Sequence, residues 1–321
     1  AMDGVTEIPL LGQNVNSYGR DLTTRLRTAD AGATDVVQAG RVWAGDARRR
    51  PRPLFADFTK RVFGNNKNWR GETLHGVGDW RDHTDRLMGR SFIGAQGVAV
   101  GDVNGDGRRD IMEKNGWWEQ PASLEGDPQW AFHAFPFSPG GGAQMYAYDV
   151  DGDGDNDVIT SLAAHGYGLC WYENQPKDGG ITFVAHTFMN AKPEENRYGV
   201  KFSQLHAIDL TDMNRDGLLD IVTGKRFWAH GPRGDAEPNA AAVLYWFELR
   251  RTKKNGVDWV PHLVDDDSGI GTQVMAVDMN ADGWPDIVVG NKKGAFVHIQ
   301  SPKKVSRKEW RQAQPKPHKA D

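Results

Sequence analysis

One nine-residue pattern limits what this chain can fold into, because it returns four times in register. The pattern D-x-[DN]-x-D-G-x-x-D is followed each time by two apolar residues. It begins at Asp102 (DVNGDGRRDIM), Asp149 (DVDGDGDNDVI), Asp212 (DMNRDGLLDIV) and Asp278 (DMNADGWPDIV). A single match would say little, but four matches in phase mark an internal repeat. A short apolar stretch precedes each copy: GVAVG, MYAYD, LHAIDLT and VMAVD.

Other features keep the same phase. An aromatic residue, two positions and then histidine recur at Trp80/His83, Trp130/His133, Phe183/His186 and Trp259/His262. Between each acidic loop and the next such pair lies an aromatic stretch: GWWEQP, CWYENQP, YWFELRR and a weaker AFVHIQ. The unit reads as four strands: an apolar strand a, the acidic turn, strand b, an aromatic strand c and a W-x-x-H strand d. Its period is about 45 to 65 residues, as expected for a propeller blade. The expected fold class is all-β, a β-propeller of four-stranded blades. The series opens with a lone strand d near Trp80 and ends with a lone strand c near His298. It therefore either closes as a four-bladed ring or belongs to a larger propeller. An incomplete ring would leave open edges prone to self-association.

Composition narrows the function classes. The 321 residues carry a formal net charge of −4, so bulk charge points to no nucleic-acid partner. No apolar run reaches the roughly 18 residues of a membrane span. Cys170 is the single cysteine, which excludes an intrachain disulfide. The opening AMDGVTEIPLLGQ lacks the basic and apolar regions of a signal peptide. The expected organisation is an atypical N-terminal segment and linker over 1–75, the propeller over 76–300 and a basic tail over 301–321. In the linker, ARRRPRP (47–53) reads as a solvated basic loop rather than a nucleic-acid contact. In the tail, Ser306 and Glu309 fit a capping box for a short helix.

Alternate carboxylates on a tight glycine-containing turn converge on one point, and hard oxygen donors at that spacing suit Ca²⁺. The four expected ligand sets are Asp102, Asn104, Asp106 and Asp110; Asp149, Asp151, Asp153 and Asp157; Asp212, Asn214, Asp216 and Asp220; and Asp278, Asn280, Asp282 and Asp286. An EF-hand is a poorer fit, since no helices flank the loops and its bidentate glutamate is missing. The competing reading is a metal-free Asx-turn with solvated acids.

Strand order places the b–c and d–a loops opposite the acidic turns, and there the repeats stop matching. His165, His206 and His230 fall outside the W-x-x-H series and map to this second face. Lys114, Lys225, Arg226 and Lys292 make it basic; Gln144, Gln204, Gln273, Tyr146, Tyr167 and Trp228 add amides and aromatics. Such a mouth suits an anionic or glycan ligand, against a plainer reading of separate solvated loop residues. The W-x-x-H histidines, being repeated, read as structural. The RGD at Arg233–Asp235 is too short to carry an adhesion reading.

The acidic motifs resemble the FG-GAP/VCBS repeats of calcium-binding β-propellers over about residues 76–300. GWWEQP, AYDVDGDGDNDVIT, DIVTGKRFWAHGP and AVLYWFEL look like an FG-GAP-like family of environmental bacteria. That resemblance implies up to four structural Ca²⁺ ions, more than four blades and a periplasmic or extracellular location. Separately, GVTEIPLLGQNVNSYGRD (4–21) and RPLFADFTKRV (52–62) resemble an internal segment of radical-SAM tRNA methylthiotransferases, without the cluster cysteines. This implies a chimeric N-terminus.

Two function classes follow. One is a binding module presenting a ligand surface on a Ca²⁺-stapled propeller. The other is an enzyme with its site in the propeller mouth, acting as a hydrolase of esters, lactones or phosphotriesters, or as a sugar dehydratase or lyase. There His165, His206 and His230 would serve as bases or as ligands to an additional catalytic metal. Lys225 and Arg226 would stabilise an oxyanion.

Overall fold

The computed structural model describes residues 36–38, 41–43, 98–125, 128–177, 179–251 and 256–318. Two short strands, β1 (Val36–Gln38) and β2 (Arg41–Trp43), pair as an antiparallel hairpin in a first unit spanning Ala1–Ile93. The segments 4–21 and 52–62, the linker at 47–53 and the Trp80/His83 pair lie outside the described residues.

The second unit is a four-blade propeller arrangement of small antiparallel sheets. Blade 1 holds β3 (Ala99–Gly101), β4 (Asp110–Glu113), β5 (Gly116–Glu119) and β6 (Ala131–Ala134). Blade 2 holds β7 (Tyr146–Tyr148), β8 (Asp157–Ser161), β9 (Leu169–Lys177) and β10 (Gly180–Met189). Blade 3 holds β11 (Ile208–Thr211), β12 (Asp220–Gly224), β13 (Leu244–Arg251) and β14 (Val257–Asp265). Blade 4 has three strands, β15 (Val274–Val277), β16 (Asp286–Asn291) and β17 (Gly294–His298). Each strand pairs only with its chain neighbour, the a-b-c-d order that the repeat requires.

Strand periodicity explains the cores. Successive side chains face opposite sides of a sheet, so strand b of an inner blade feeds two cores. On β8, Val158 joins the blade 1–2 core with Val103, Met112, Trp117 and Tyr172. Its neighbour Ile159 joins the blade 2–3 core with Trp171, Ile208, Ile221 and Phe247. On β12, Ile221 faces blade 2, while Val222 packs with Leu244, Ile287 and Val289 between blades 3 and 4. The outward faces of the end blades stay apolar and exposed: Val98, Val100 and Phe132 on blade 1, Val277 and Val297 on blade 4.

The last aspartate of each motif ties a blade together. Asp110, Asp157, Asp220 and Asp286 are all 0–1% exposed. In blade 3, Asp220 Oδ2 accepts from Met213 N and its Oδ1 from Leu249 N, each at 2.9 Å, linking the acidic turn to strand c. Asp110 bridges Val103 and Gln120, Asp157 bridges Val150 and Asn174, and Asp286 bridges Met279 and Gln300 in the same way.

The W-x-x-H histidines have one repeated role. His133, His186 and His262 lie flat on Trp117, Trp171 and Trp246 of strand c, with ring centroids 4.2–4.3 Å apart. Each Nε2 meets the glutamate two residues past that tryptophan, at Glu119, Glu173 or Glu248. Beyond the blades, α1 (Arg307–Ala313) begins at the Ser306/Glu309 capping box, with Glu309 N donating to Ser306 Oγ and Ser306 N donating to Glu309 Oε2. Among the described residues, no helix is long and apolar enough to cross a membrane.

Candidate functional site

The acidic turns and the b–c loops lie at opposite ends of strand b, so each blade separates them. The turns close through their own carboxylates: Asp102, Asp212 and Asp278 each accept through Oδ2 from Gly107, Gly217 and Gly283 N at 2.8–3.0 Å. These glycines sit at φ +84°, +92° and +87°, a region that L side chains rarely adopt.

The second turn best fits a cation. Oxygens of Asp149, Asp151 and Asp153 all lie within 4.8 Å of one another. Asp155 Oδ1 is buried without a hydrogen-bond partner. Burial and then the charge of Asp153 push the Asp155 carboxyl up to about 6. Burial raises Asp151 as well, with Asp153, Glu173 and Asp149 adding repulsion. A bound divalent cation would remove that repulsion. In turns 1, 3 and 4 an asparagine replaces the second acid. Asn214 and Asn280 each donate through Nδ2 to Asp216 and Asp282 Oδ2 at 2.9 Å, so part of the ligand set is already satisfied. In turn 1, Arg108 pairs with Asp106.

At the other end, three loops converge. His165 lies in the b–c loop of blade 2, His206 just before β11, and Arg226, His230 and Asp235 in the long b–c loop of blade 3. The His165 ring is 4.6 Å from His230 and 4.9 Å, edge-on, from His206. Asp235 accepts from His230 N at 3.1 Å, and its Oδ1 lies 3.0 Å from His230 Nδ1 and 3.1 Å from His165 Nδ1. The Asp235 side chain is only 4% exposed. The long loop closes on itself because Gly234 packs against His230, where a Cβ would collide with the histidine's Cβ and carbonyl.

Gln204 joins these loops. It sits at φ +63° and is fully buried. Its N–H donates to Gly166 O at 2.7 Å, and its carbonyl accepts from His206 N and Arg226 N at 2.9 and 3.1 Å. Its side chain donates to Ala236 O and accepts from Ala229 N. The expected ligand contact from Gln204 is thus taken up by the scaffold. Gln144 likewise accepts from Ile208 N, and Tyr146 donates to Ile208 O, tying blade 2 to blade 3. Lys225 is also internal: it is 1% exposed, its Nζ donates to Ser203 Oγ at 3.0 Å, and burial lowers it to about 8.

Arg226 keeps its place at the convergence. It is 8% exposed, and its buried Nε has no hydrogen-bond partner. Burial followed by the Arg226 charge pulls His206 down to about 4, and burial also lowers His165. At neutral pH both imidazoles are therefore uncharged.

On the rim, Lys292 donates to the Trp228 and Ala229 carbonyls at 2.7 and 2.9 Å. Trp228 is 37% exposed and stacks on Phe227. Lys201 lies over Tyr167 and pairs with Glu237, which also bonds Tyr167. Gln273 is exposed, and Lys114 lies in the b–c loop of blade 1, its carbonyl accepting from Ser138 N. Sequence reasoning missed Asp235, whose one signal was its place five residues after His230 in the same loop. Elsewhere, an open cavity between the outer strands of blades 2 and 3 holds two ion pairs, His186 with Glu173 and Arg197 with Asp258, and reaches Asp151 and Asp153 of the second acidic turn.

Residues 270–296 match the FG-GAP repeat. The match covers strand a, the acidic turn, strand b and most of strand c in blade 4. The other three blades carry the same acidic pattern. No curated protein is similar enough to the chain to count as a match. The resemblance of segments 4–21 and 52–62 to methylthiotransferases finds no support in these comparisons.

Proposed function

We propose that this protein is a calcium-stabilised β-propeller that binds an anionic or carbohydrate-like ligand on the face opposite its acidic turns. The observation that carries this reading is Arg226, a buried guanidinium whose Nε has no partner, beside His165, His206 and His230. Leaving such a donor unpaired is costly, and a carboxylate or sulfate would satisfy it with a charge-assisted bond. Trp228 and Tyr167 on the rim offer faces for a sugar ring. Calcium would be held in the acidic turns, first by Asp149, Asp151 and Asp153, where it would supply structural rather than chemical help.

Isothermal titration with acidic and neutral oligosaccharides tests the reading. Acidic ligands should bind, and Arg226→Gln should weaken them at least about tenfold, the loss of one charged hydrogen bond. Equal affinity of the variant for acidic ligands would remove the role given to Arg226.

A second reading is an enzyme, a hydrolase or a sugar lyase, favoured by the neutral, adjacent imidazoles of His165 and His206. A neutral imidazole can accept a proton from a substrate. This reading predicts loss of turnover in His206→Ala with the fold retained.

A further inference from the structure

We propose that His165, His230 and Asp235 form a binding site for a divalent transition metal of the zinc class in the propeller mouth. One nitrogen from each imidazole and one Asp235 oxygen all lie within 4.8 Å of one another. The Asp235 Oδ1 contacts to His165 Nδ1 and His230 Nδ1 measure 3.1 and 3.0 Å. Tetrahedral ligands on bonds of about 2.0–2.1 Å stand about 3.3 Å apart, so the three atoms need little adjustment to share an ion.

A second observation points the same way. His165 Nδ1 is buried and makes no hydrogen bond, although Asp235 Oδ1 stands 3.1 Å away. An ion between the two would satisfy both. The donor set selects the metal: imidazole nitrogens suit zinc, cobalt, nickel, copper or iron, whereas the all-oxygen acidic turns suit calcium. The scaffold holds the set without the ion. Gly234 lets the loop fold back on His230, while Ser203 Oγ and Gln204 Nε2 both donate to Ala236 O beside Asp235. His206, 4.9 Å from His165, stands next to the set. Three protein ligands leave at least one position for water or for an oxygen of the bound anion. The site deepens the mouth reading above and depends on it only for what fills that open position.

The test is cobalt titration of the full chain in saturating calcium, which keeps the oxygen-only turns occupied. One equivalent of Co²⁺ should give the intense visible bands of a nitrogen-ligated, low-coordinate ion, and Zn²⁺ should displace it. His230→Gln and Asp235→Asn should each weaken cobalt binding at least about tenfold, with far-UV circular dichroism unchanged; losing a direct ligand should cost no less than losing an outer-shell partner. His230 is 59% exposed, so its substitution tests the site even where Asp235→Asn unfolds the loop. Absence of the bands, or equal affinity in His230→Gln, would overturn the site and leave Asp235 as a hydrogen-bonding partner of His230 alone. Arg226→Gln separates the two proposals. Cobalt bound with anion binding lost supports both, and cobalt bound with no anion binding in either protein leaves the metal site standing while the ligand reading fails.

Discussion

His262 lies flat on Trp246, with ring centroids 4.2 Å apart and planes 14° from parallel. The contact joins strands c and d of blade 3 and aims His262 Nε2 at Glu248 Oε2, 2.9 Å away. Blades 1 and 2 repeat it at His133 on Trp117 and His186 on Trp171. The recurring histidines are therefore structural side chains of the outer blade edge.

Glu248 gives this contact a pH dependence. Burial would raise its carboxyl, but hydrogen bonds from His262 and Arg250 prevail and hold it at about 2. A depressed carboxylate stabilises the fold fully above its ordinary value of 4.5, and that stability is lost as pH falls toward 2. Glu248→Gln should cost on the order of 2–3 kcal/mol at pH 7. Urea denaturation should show the gap to the parent protein closing between pH 5 and pH 2, within roughly the window set by the two pKa values. A gap independent of pH would contradict this.

Asp220 should be among the least replaceable acids. Asp220→Ala strands two buried N–H groups, those of Met213 and Leu249, at about 1–3 kcal/mol each. Burial, opposed by those same hydrogen bonds, pushes its carboxyl up to about 7. Its ionisation in the folded state is thus unfavourable, so calcium-free protein should gain stability as pH falls from about 7 toward 4. Thermal melts in EGTA at a series of pH values read this directly, and a flat profile would count against it.

Calcium should raise the melting temperature. A site filled at a hundred times its Kd adds about 2.7 kcal/mol, which for a domain of this size is a rise of roughly 5–10 °C. The effect should fall most in Asp153→Ala, because the second turn gathers five aspartates and the Asp153 charge repels both Asp151 and Asp155. A melting temperature unmoved by EGTA would argue for metal-free Asx-turns throughout.

Lys225 makes an opposite pH prediction. Burial lowers it to about 8, only partly offset by the charges of Glu237 and Asp235. The folded state releases this proton more readily than the unfolded chain, so stability from this group rises as pH climbs from about 8 to 10.5. Relative to Lys225→Met, the parent protein should gain on the order of 3 kcal/mol across that range, measured by urea denaturation at pH 7 and pH 10.

Local features of this molecule are legible in its sequence. The acidic turns, the aromatic strands c and the W-x-x-H strands d each recur in phase, and the Ser306/Glu309 cap starts its helix as expected. Such features depend on neighbours within ten or so residues. The candidate mouth was legible by residue type, in that His165, His206, His230 and Arg226 do meet. Their neighbours were less so. Lys225 adjoins Arg226 in sequence, but just past the end of β12 it is buried with its Nζ on Ser203. Gln144 and Gln204 both lie just before a strand a, yet hydrogen-bond to blade 3 backbone instead of facing a ligand.

The blade follows from short-range patterning, because alternation, glycine turns and repeated acids act over one hairpin at a time. The meeting of His165, His230 and Asp235 follows from long-range packing instead. Asp235 lies 70 positions from His165. The two meet because hydrophobic burial stacks blade 2 on blade 3 through Ile159, Ile208 and Ile221, and because the backbone of Gln204 then binds both loops. Blade stacking and loop closure are non-local, driven by buried apolar area and by the need to pair every buried N–H and carbonyl. No spacing along the chain encodes them.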